Sequence, residues 1–132
     1  MEMKKFFVGA KAIIRSDRGV LLIKHANGYW DMPGGRLNDD EDLEEGLLRE
    51  LREEVPNVIV RRIGEQAGAY RVHHDLVDDI SLVIIFFLVD AVVPEELTLS
   101  EEHGGWQWVG KDDELPQPLD VNMAKIVDKY RQ

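Results

Sequence analysis

Cysteine is absent from this sequence, which excludes disulfide bonds and thiolate metal ligands. Long apolar runs are missing too: no stretch approaches the roughly 20 residues that a membrane-spanning helix needs. The first residues, Met1–Lys5, lead into no signal-peptide pattern. We therefore expect a cytoplasmic protein that does not bind membranes.

Basic residues are in the minority, with 16 Lys and Arg against 26 Asp and Glu and a net charge of −10. Such a surface repels the phosphates of nucleic acids, so we expect no nucleic acid polymer as a partner. It would also repel a small polyphosphate unless a cation intervened. The 132 residues, 44% of them hydrophobic, suit one domain over residues 1–132, as a monomer or homodimer.

A glycine turn at Gly34–Gly35 precedes a helical segment rich in carboxylates. At about 100° per residue, Glu50, Glu53 and Glu54 share one sector of that helix. The adjoining apolar stripe is formed by Leu47, Leu48, Leu51 and Val55. An acidic helix is more often a solvated face, but three like charges on one side repel each other. A hard cation with oxygen ligands would relieve that repulsion, so the pattern favours a metal site.

The segment resembles the Nudix box, G-x5-E-x7-R-E-U-x-E-E-x-G-U, in which U is aliphatic. The matching positions are Gly35, Glu41, Arg49, Glu50, Leu51, Glu53 and Glu54. Pro56 and Asn57 replace the closing glycine and aliphatic residue. We expect Pro56 to end the helix and Asn57 to take the left-handed conformation. Gly46 should cost about 0.5–1 kcal/mol relative to alanine.

The resemblance implies an α+β Nudix fold, a mixed β-sheet sandwiched between helices (α-β-α). Hydrophobic patterning predicts strands over residues 6–15, 20–24, 58–69, 80–93 and 106–109. It predicts helices from Asp39 or Asp40 to about Val55, with Asn38 and Glu41 as a capping pair, and over residues 119–130. The polar segment 70–79, with His73 and His74, is predicted to be a mobile loop.

Family resemblance also implies roles for residues of the box. Mg²⁺ or Mn²⁺, in a number that the sequence leaves open, would be held by Glu50, Glu53, Glu54 and the carbonyl of Gly34. Glu50 is one candidate for the general base. Arg49 would orient Glu50 or Glu41, although a surface ion pair is the plainer interpretation. The residues expected to bind substrate are Gly35, Arg36 and Trp106.

A second segment, Glu101–Trp108, lies where Nudix members often place a catalytic loop. Glu102 and His103 are further candidates for the base, since a histidine serves there in GDP-mannose mannosyl hydrolases. An exposed loop with an ordinary histidine is an equally good interpretation. We expect one of Trp106 and Trp108 to lie in the core and the other to stack on a base.

The expected function is that of a Mg²⁺-dependent Nudix pyrophosphohydrolase, which cleaves a nucleoside diphosphate linked to a further group X. A nucleoside triphosphate, oxidised or not, would give the monophosphate and pyrophosphate. Nucleotide sugars of the GDP-mannose kind and ADP-ribose are alternative substrates, because loops outside the box select them. A non-catalytic, nucleotide-binding Nudix-like module is the alternative of another class.

Overall fold

The computed structural model describes residues 1–132 and contains seven strands and two helices. The strands are Lys5–Ser16 (β1), Gly19–His25 (β2), Trp30–Asp31 (β3), Gly34–Arg36 (β4), Ile59–Val77 (β5), Ile80–Val92 (β6) and His103–Val109 (β7). The helices are Leu43–Glu54 (α1) and Val121–Tyr130 (α2). Neither helix has the length and apolar character needed to cross a membrane.

Strand β1 organises the sheet, whose order is β3-β2-β1-β6-β5, with β4 paired to β1 and β7 paired to β2. The β1–β6 pair is parallel and the others are antiparallel, so the sheet is mixed. The middle of β1, residues 9–11, pairs with β4. Gly34 and Gly35 were predicted to form a turn, but they begin strand β4 directly after a bend at Pro33. The pairing holds this segment, for which the name glycine turn is kept, against the centre of the sheet.

The two faces of the sheet carry separate apolar clusters, because successive side chains of a strand point to opposite faces. Ala10 and Ala12 of β1 lie in the cluster that contains α1, whereas Ile13 lies in the cluster that contains α2. The helices contribute Leu47, Leu51 and Val55 from α1, and Met123 and Val127 from α2. The predicted α+β arrangement, a mixed sheet between helices, is confirmed.

Helix α1 begins later than predicted. Its N-cap is Asp42, which forms a capping box with Glu45, and the backbone N–H of Asp42 donates to Glu45 Oε1 at 3.2 Å. The pair proposed from sequence, Asn38 and Glu41, has the same spacing but lies in the preceding loop, where Asn38 N donates to Glu41 Oε1 at 2.7 Å. Helix α2 also begins slightly late, at Val121.

The end of α1 falls close to the predicted residue, but the expectation for Asn57 was wrong. Asp78 is the non-glycine residue with a positive φ, so Asn57 is not left-handed. Its side chain instead donates to the carbonyl of Glu96 and accepts from Thr98 N, both at 2.9 Å. These bonds tie the end of the helix to the segment that leads into β7.

The predicted mobile loop over residues 70–79 was also wrong, because most of it is strand. β5 continues to Val77, pairs with β6 and turns tightly at Asp78, whose φ is 50°. His73 and His74 are exposed on this strand. The polar sequence that indicated a loop belongs to an edge strand with little cover, where side chains remain in water.

Candidate active site

The glycine turn lies directly against the carboxylates of α1. The backbone N–H of Gly34 donates to Glu54 Oε1 at 2.7 Å. Gly34 has a φ of 135°, and a Cβ there would lie 2.1 Å from the carbonyl oxygen of Ala10, so only glycine fits. A Cβ on Gly35 would lie 2.5 Å from the carboxyl carbon of Glu50. A side chain at Gly34 would therefore collide with β1, and a side chain at Gly35 would displace the Glu50 carboxylate.

Arg49 connects the acidic residues of the box. Its Nε and one terminal nitrogen bind Glu41 in a bidentate pair, at 2.7 and 3.0 Å. The other terminal nitrogen donates to Glu50 Oε1 at 2.9 Å and lies 3.4 Å from Glu53. Hydrogen bonds from Arg49 lower the pKa of Glu41 below its ordinary value. The guanidinium thus joins the loop before α1 to the carboxylates on the helix.

The three predicted metal-binding carboxylates differ in their exposure to solvent. The side chains of Glu50 and Glu54 are 17% and 13% exposed, whereas that of Glu53 is 59% exposed. Glu50 and Glu54 therefore line the inner part of the site, beside the turn. Glu53 lies on the rim, where it is free to move toward a ligand.

A charged pair lies beneath the turn, and the sequence reasoning missed it. Lys11 Nζ donates to Asp31 Oδ2 at 2.9 Å and to the carbonyl oxygen of Gly34 at 3.1 Å. His25 Nε2 is 3.1 Å from the same Asp31 oxygen, and Met32 N donates to the other at 2.8 Å. The available signal was one lysine inside an apolar strand, which indicates a buried partner.

The surroundings of this pair keep both of its members charged. Burial alone would lower the pKa of Lys11, but the carboxylates of Asp31 and Glu54 outweigh burial and raise it. Burial would likewise raise the pKa of Asp31, but Lys11 and His25 outweigh burial and lower it. A fixed positive charge therefore lies behind the Gly34 carbonyl and faces the acidic side of α1.

Glu54 is a mostly buried carboxylate whose negative charge is not fully balanced by nearby donors and cations. Its pKa is raised to about 7, mainly by burial and also by Glu50 and Asp31, against the opposing effects of Gly34 N and Lys11. A cation next to Glu54 would supply the missing compensation. The residue types fit Mg²⁺ or Mn²⁺, because the converging atoms are carboxylate and carbonyl oxygens.

The oxygen atoms do not form a complete metal cage. No group of three or more His, Asp or Glu side chains is gathered at metal-binding distances. Mg²⁺ keeps several waters and commonly takes substrate phosphate oxygens as ligands, so a partial set of protein ligands suits it. The Gly34 carbonyl oxygen already accepts a hydrogen bond from Lys11, so one lone pair remains for a cation.

His103 lies at the start of strand β7, although it was predicted to lie in a loop. Its side chain is 1% exposed, and Nδ1 is 2.7 Å from Ser100 Oγ. Its Nε2 lies 3.7 Å from Glu54 Oε2. Burial and the nearby His25 lower the pKa of His103. Glu102, by contrast, is exposed, and its backbone carbonyl accepts from Ala26 N at 2.9 Å.

The remaining residues predicted to bind substrate are Trp106 and Arg36. Trp106 and Trp108 are both half-buried against the α1-side cluster, so the expectation that they occupy different environments was wrong. They are two positions apart in a strand and share a face. Arg36 is exposed, and its guanidinium lies 4.6 Å over the ring of Phe7.

Comparison with known proteins agrees with this geometry. The NUDIX domain family model matches residues 5–130. The nucleoside triphosphatase NudI of Escherichia fergusonii is 30% identical over 85% of this chain and 86% of its own. The 8-oxo-dGTP diphosphatase of Proteus vulgaris is 38% identical over 42% of this chain, but this match spans only 54% of that relative. A MutT NUDIX hydrolase structure from Burkholderia pseudomallei superposes with a TM-score of 0.78 at 27% identity, over 98% of this chain and 100% of that one.

Proposed function

The chain belongs to the NUDIX family and is a Nudix hydrolase, and from this premise we propose a Mg²⁺- or Mn²⁺-dependent pyrophosphohydrolase of nucleoside triphosphates, oxidised ones included. Water attacks a phosphorus atom, and the products are the monophosphate and pyrophosphate. The observation that carries the proposal is the 2.7 Å bond from Gly34 N to Glu54. That bond holds the acidic face of α1 against the glycine turn, and this contact supports a site for a phosphate-bound cation.

The proposal gives each residue of the box a task. Glu50, Glu53, Glu54 and the Gly34 carbonyl would hold the cation, which when bound neutralises phosphate oxygens and acidifies water. Arg49 engages Glu50 Oε1 and leaves Oε2 free, so the orientation of this carboxylate is fixed. Glu50 is then suited to accept the proton of the attacking water.

Two observations support a nucleoside triphosphate as the substrate. One relative is named a nucleoside triphosphatase and matches most of its length, and another is named an 8-oxo-dGTP diphosphatase. Among the proposed substrate-binding residues, Arg36 is exposed next to Gly35 and the acidic site, where a positive charge would attract the polyphosphate chain. Trp106 would offer the exposed part of its ring to the substrate.

The test is a hydrolysis panel in Mg²⁺ with identified products. It compares canonical and oxidised nucleoside triphosphates, GDP-mannose, ADP-ribose and diadenosine polyphosphates. The variant is Glu54→Gln, and the matched control is Glu44→Gln, because Glu44 is exposed on the same helix away from the turn. We expect monophosphate and pyrophosphate, with kcat lowered about 100-fold or more in Glu54→Gln and unchanged in Glu44→Gln.

Three results would contradict the proposal. Equal turnover by Glu54→Gln would place the metal elsewhere. Nucleotide binding without turnover across the panel would indicate a non-catalytic module. Release of free sugar and GDP from GDP-mannose, in preference to triphosphate cleavage, would indicate attack at carbon.

A further inference from the structure

The Nε2 atom of His103 is a buried side-chain polar atom that has no hydrogen-bond partner. Native proteins rarely leave such an atom unpaired, because burying it removes its bonds to water. The acidic group within 4 Å of this atom is the carboxylate of Glu54, with Oε2 at 3.7 Å. A movement of about 0.5 Å would bring the two atoms into hydrogen-bond range. The position of His103 therefore indicates a hydrogen bond from its Nε2 to Glu54 Oε2.

The backbone around His103 is fixed to the end of α1. Ser100 N donates to the carbonyl oxygen of Glu54 at 3.0 Å, and His103 N donates to the carbonyl oxygen of Ser100 at 3.1 Å. The hydroxyl oxygen of Ser100 lies within hydrogen-bond distance of His103 Nδ1, at 2.7 Å. The imidazole is thus held at one nitrogen and directed toward Glu54 at the other.

When Glu54 is ionised, as it would be with a cation bound, this geometry selects one tautomer of the neutral imidazole. An ionised carboxylate can only accept hydrogen bonds, whereas a serine hydroxyl can donate or accept. A proton on Nε2 gives Glu54 a donor and leaves Nδ1 to accept from Ser100. The opposite tautomer would place a lone pair against the carboxylate. The Nε2–H form is therefore the one that satisfies all three groups.

Glu54 would then receive a donor on each oxygen. Gly34 N donates to Oε1 at 2.7 Å, and His103 Nε2–H faces Oε2. Two donors at opposite oxygens fix the plane of a carboxylate and leave its remaining lone pairs for a cation. A neutral donor does this without adding a positive charge that would repel the cation.

We propose that His103 is a positioning residue: Ser100 fixes the position of its imidazole, and its Nε2–H orients the Glu54 carboxylate for cation binding. The inference rests on the proposed function, because it needs Glu54 to hold the cation. It differs from a general-base role, since a side chain that is 1% exposed acts through Glu54 and not on water in the open site.

The first test measures Mn²⁺ binding to the nucleotide-free protein by titration calorimetry. In His103→Gln the amide nitrogen lies near the former Nε2 position, whereas in His103→Asn it lies near Nδ1. We expect His103→Asn to raise the Kd for Mn²⁺ about 10–100-fold and His103→Gln to restore much of the affinity. His73→Asn, at an exposed histidine, is the matched control and should leave the affinity unchanged.

The second test needs no substitution at His103. The ¹⁵N shifts of its ring nitrogens in the wild-type protein with saturating Mg²⁺ report the tautomer, and we expect Nε2–H. An Nδ1–H tautomer in the wild type, or an unchanged Kd for Mn²⁺ in His103→Asn, would overturn the inference.

The two proposals fail in distinguishable ways. Nucleotide hydrolysis together with unchanged Mn²⁺ affinity in His103→Asn would overturn only the positioning role. Weakened Mn²⁺ binding in His103→Asn, in a protein that cleaves no nucleotide of the panel, would overturn only the proposed function.

Discussion

Arg49 meets more acceptors than any lysine could. It binds both oxygens of Glu41, one oxygen of Glu50 and the carbonyl of Arg36, at 2.7 to 3.0 Å. A guanidinium offers five donors in a rigid fork, whereas an ammonium is a compact point charge on a flexible stem. The geometry of the acidic face, and not only its charge, therefore depends on this residue.

Replacement of Arg49 by lysine tests that dependence. We expect Arg49→Lys to lower kcat about 10–100-fold, because Glu50 loses its fixed orientation although the positive charge remains. Steady-state kinetics at saturating Mg²⁺ measures the effect. Arg52→Lys, an exposed position in the last turn of α1, is the control. Wild-type kcat in Arg49→Lys would show that charge alone is sufficient.

The pair of Lys11 and Asp31 should matter for folding. Lys11→Met removes the ammonium and leaves the Asp31 carboxylate buried with fewer donors. Removing one partner of a buried ion pair costs about 3–5 kcal/mol, and we expect a loss of that order in the free energy of unfolding in urea. The double variant Lys11→Met/Asp31→Leu should recover part of the loss. A single variant as stable as the wild type would contradict this account of the pair.

Glu54 gives the metal-free protein a pH dependence of known sign. Its pKa is about 7 when folded and 4.5 in the ordinary state, so between these values the folded protein binds the extra proton. Because the folded state binds more protons, the free energy of unfolding falls as pH rises through this window, by at most about 3 kcal/mol. Denaturant unfolding in a chelator should show this slope in the wild type and lose it in Glu54→Gln. Parallel profiles for the two proteins would contradict the raised pKa.

Gly46 of helix α1 lies so close to neighbouring side chains that a Cβ there would force one of them to move. A Cβ on Gly46 would lie 2.3 Å from Leu37 Cδ2 and 3.3 Å from Glu41 Oε1. Glycine lowers the helix propensity of α1 at this position, but it lets the preceding loop pack closely against the helix.

A double-variant comparison separates these two effects. Gly46→Ala alone should not show the gain of about 0.5–1 kcal/mol that propensity predicts, because Leu37 must move. In a Leu37→Ala background the same substitution should recover that gain. Urea denaturation of the four proteins provides the measurement. A full gain in the wild-type background would show that Leu37 rearranges at no cost.

Elements were predictable where one local pattern dominated. The helical periodicity of Leu47, Leu51 and Val55 predicted the body of α1, but its first turn was misplaced because two Asx–Glu pairs with equal spacing compete for the capping box. Strand β5 beyond Ala69 was missed, because pairing with β6 decides its conformation and no local signal reports that pairing. Long-range pairing of this kind overrides local propensity.

Across the whole molecule, the sequence located the acidic half of the site but not its basic half. The box residues lie on one helix and a nearby turn, so their spacing alone brought them together. Lys11, Asp31 and His25 come from three strands, and only the pairing of β1 with β4 and of β2 with β3 makes them neighbours. The overall charge of −10 thus conceals a buried cation directly behind the turn.

Hydrolysis in ¹⁸O-labelled water tests whether water attacks phosphorus with the help of a cation that Glu54 holds. The substrate is the triphosphate that is cleaved fastest, and the products are analysed by mass spectrometry. We expect one ¹⁸O, bonded to phosphorus, in the monophosphate or in the pyrophosphate, with incorporation that requires Mg²⁺ or Mn²⁺ and is at least about 100-fold slower in Glu54→Gln. Products that carry no ¹⁸O on phosphorus, or incorporation at the wild-type rate in Glu54→Gln, would contradict this mechanism.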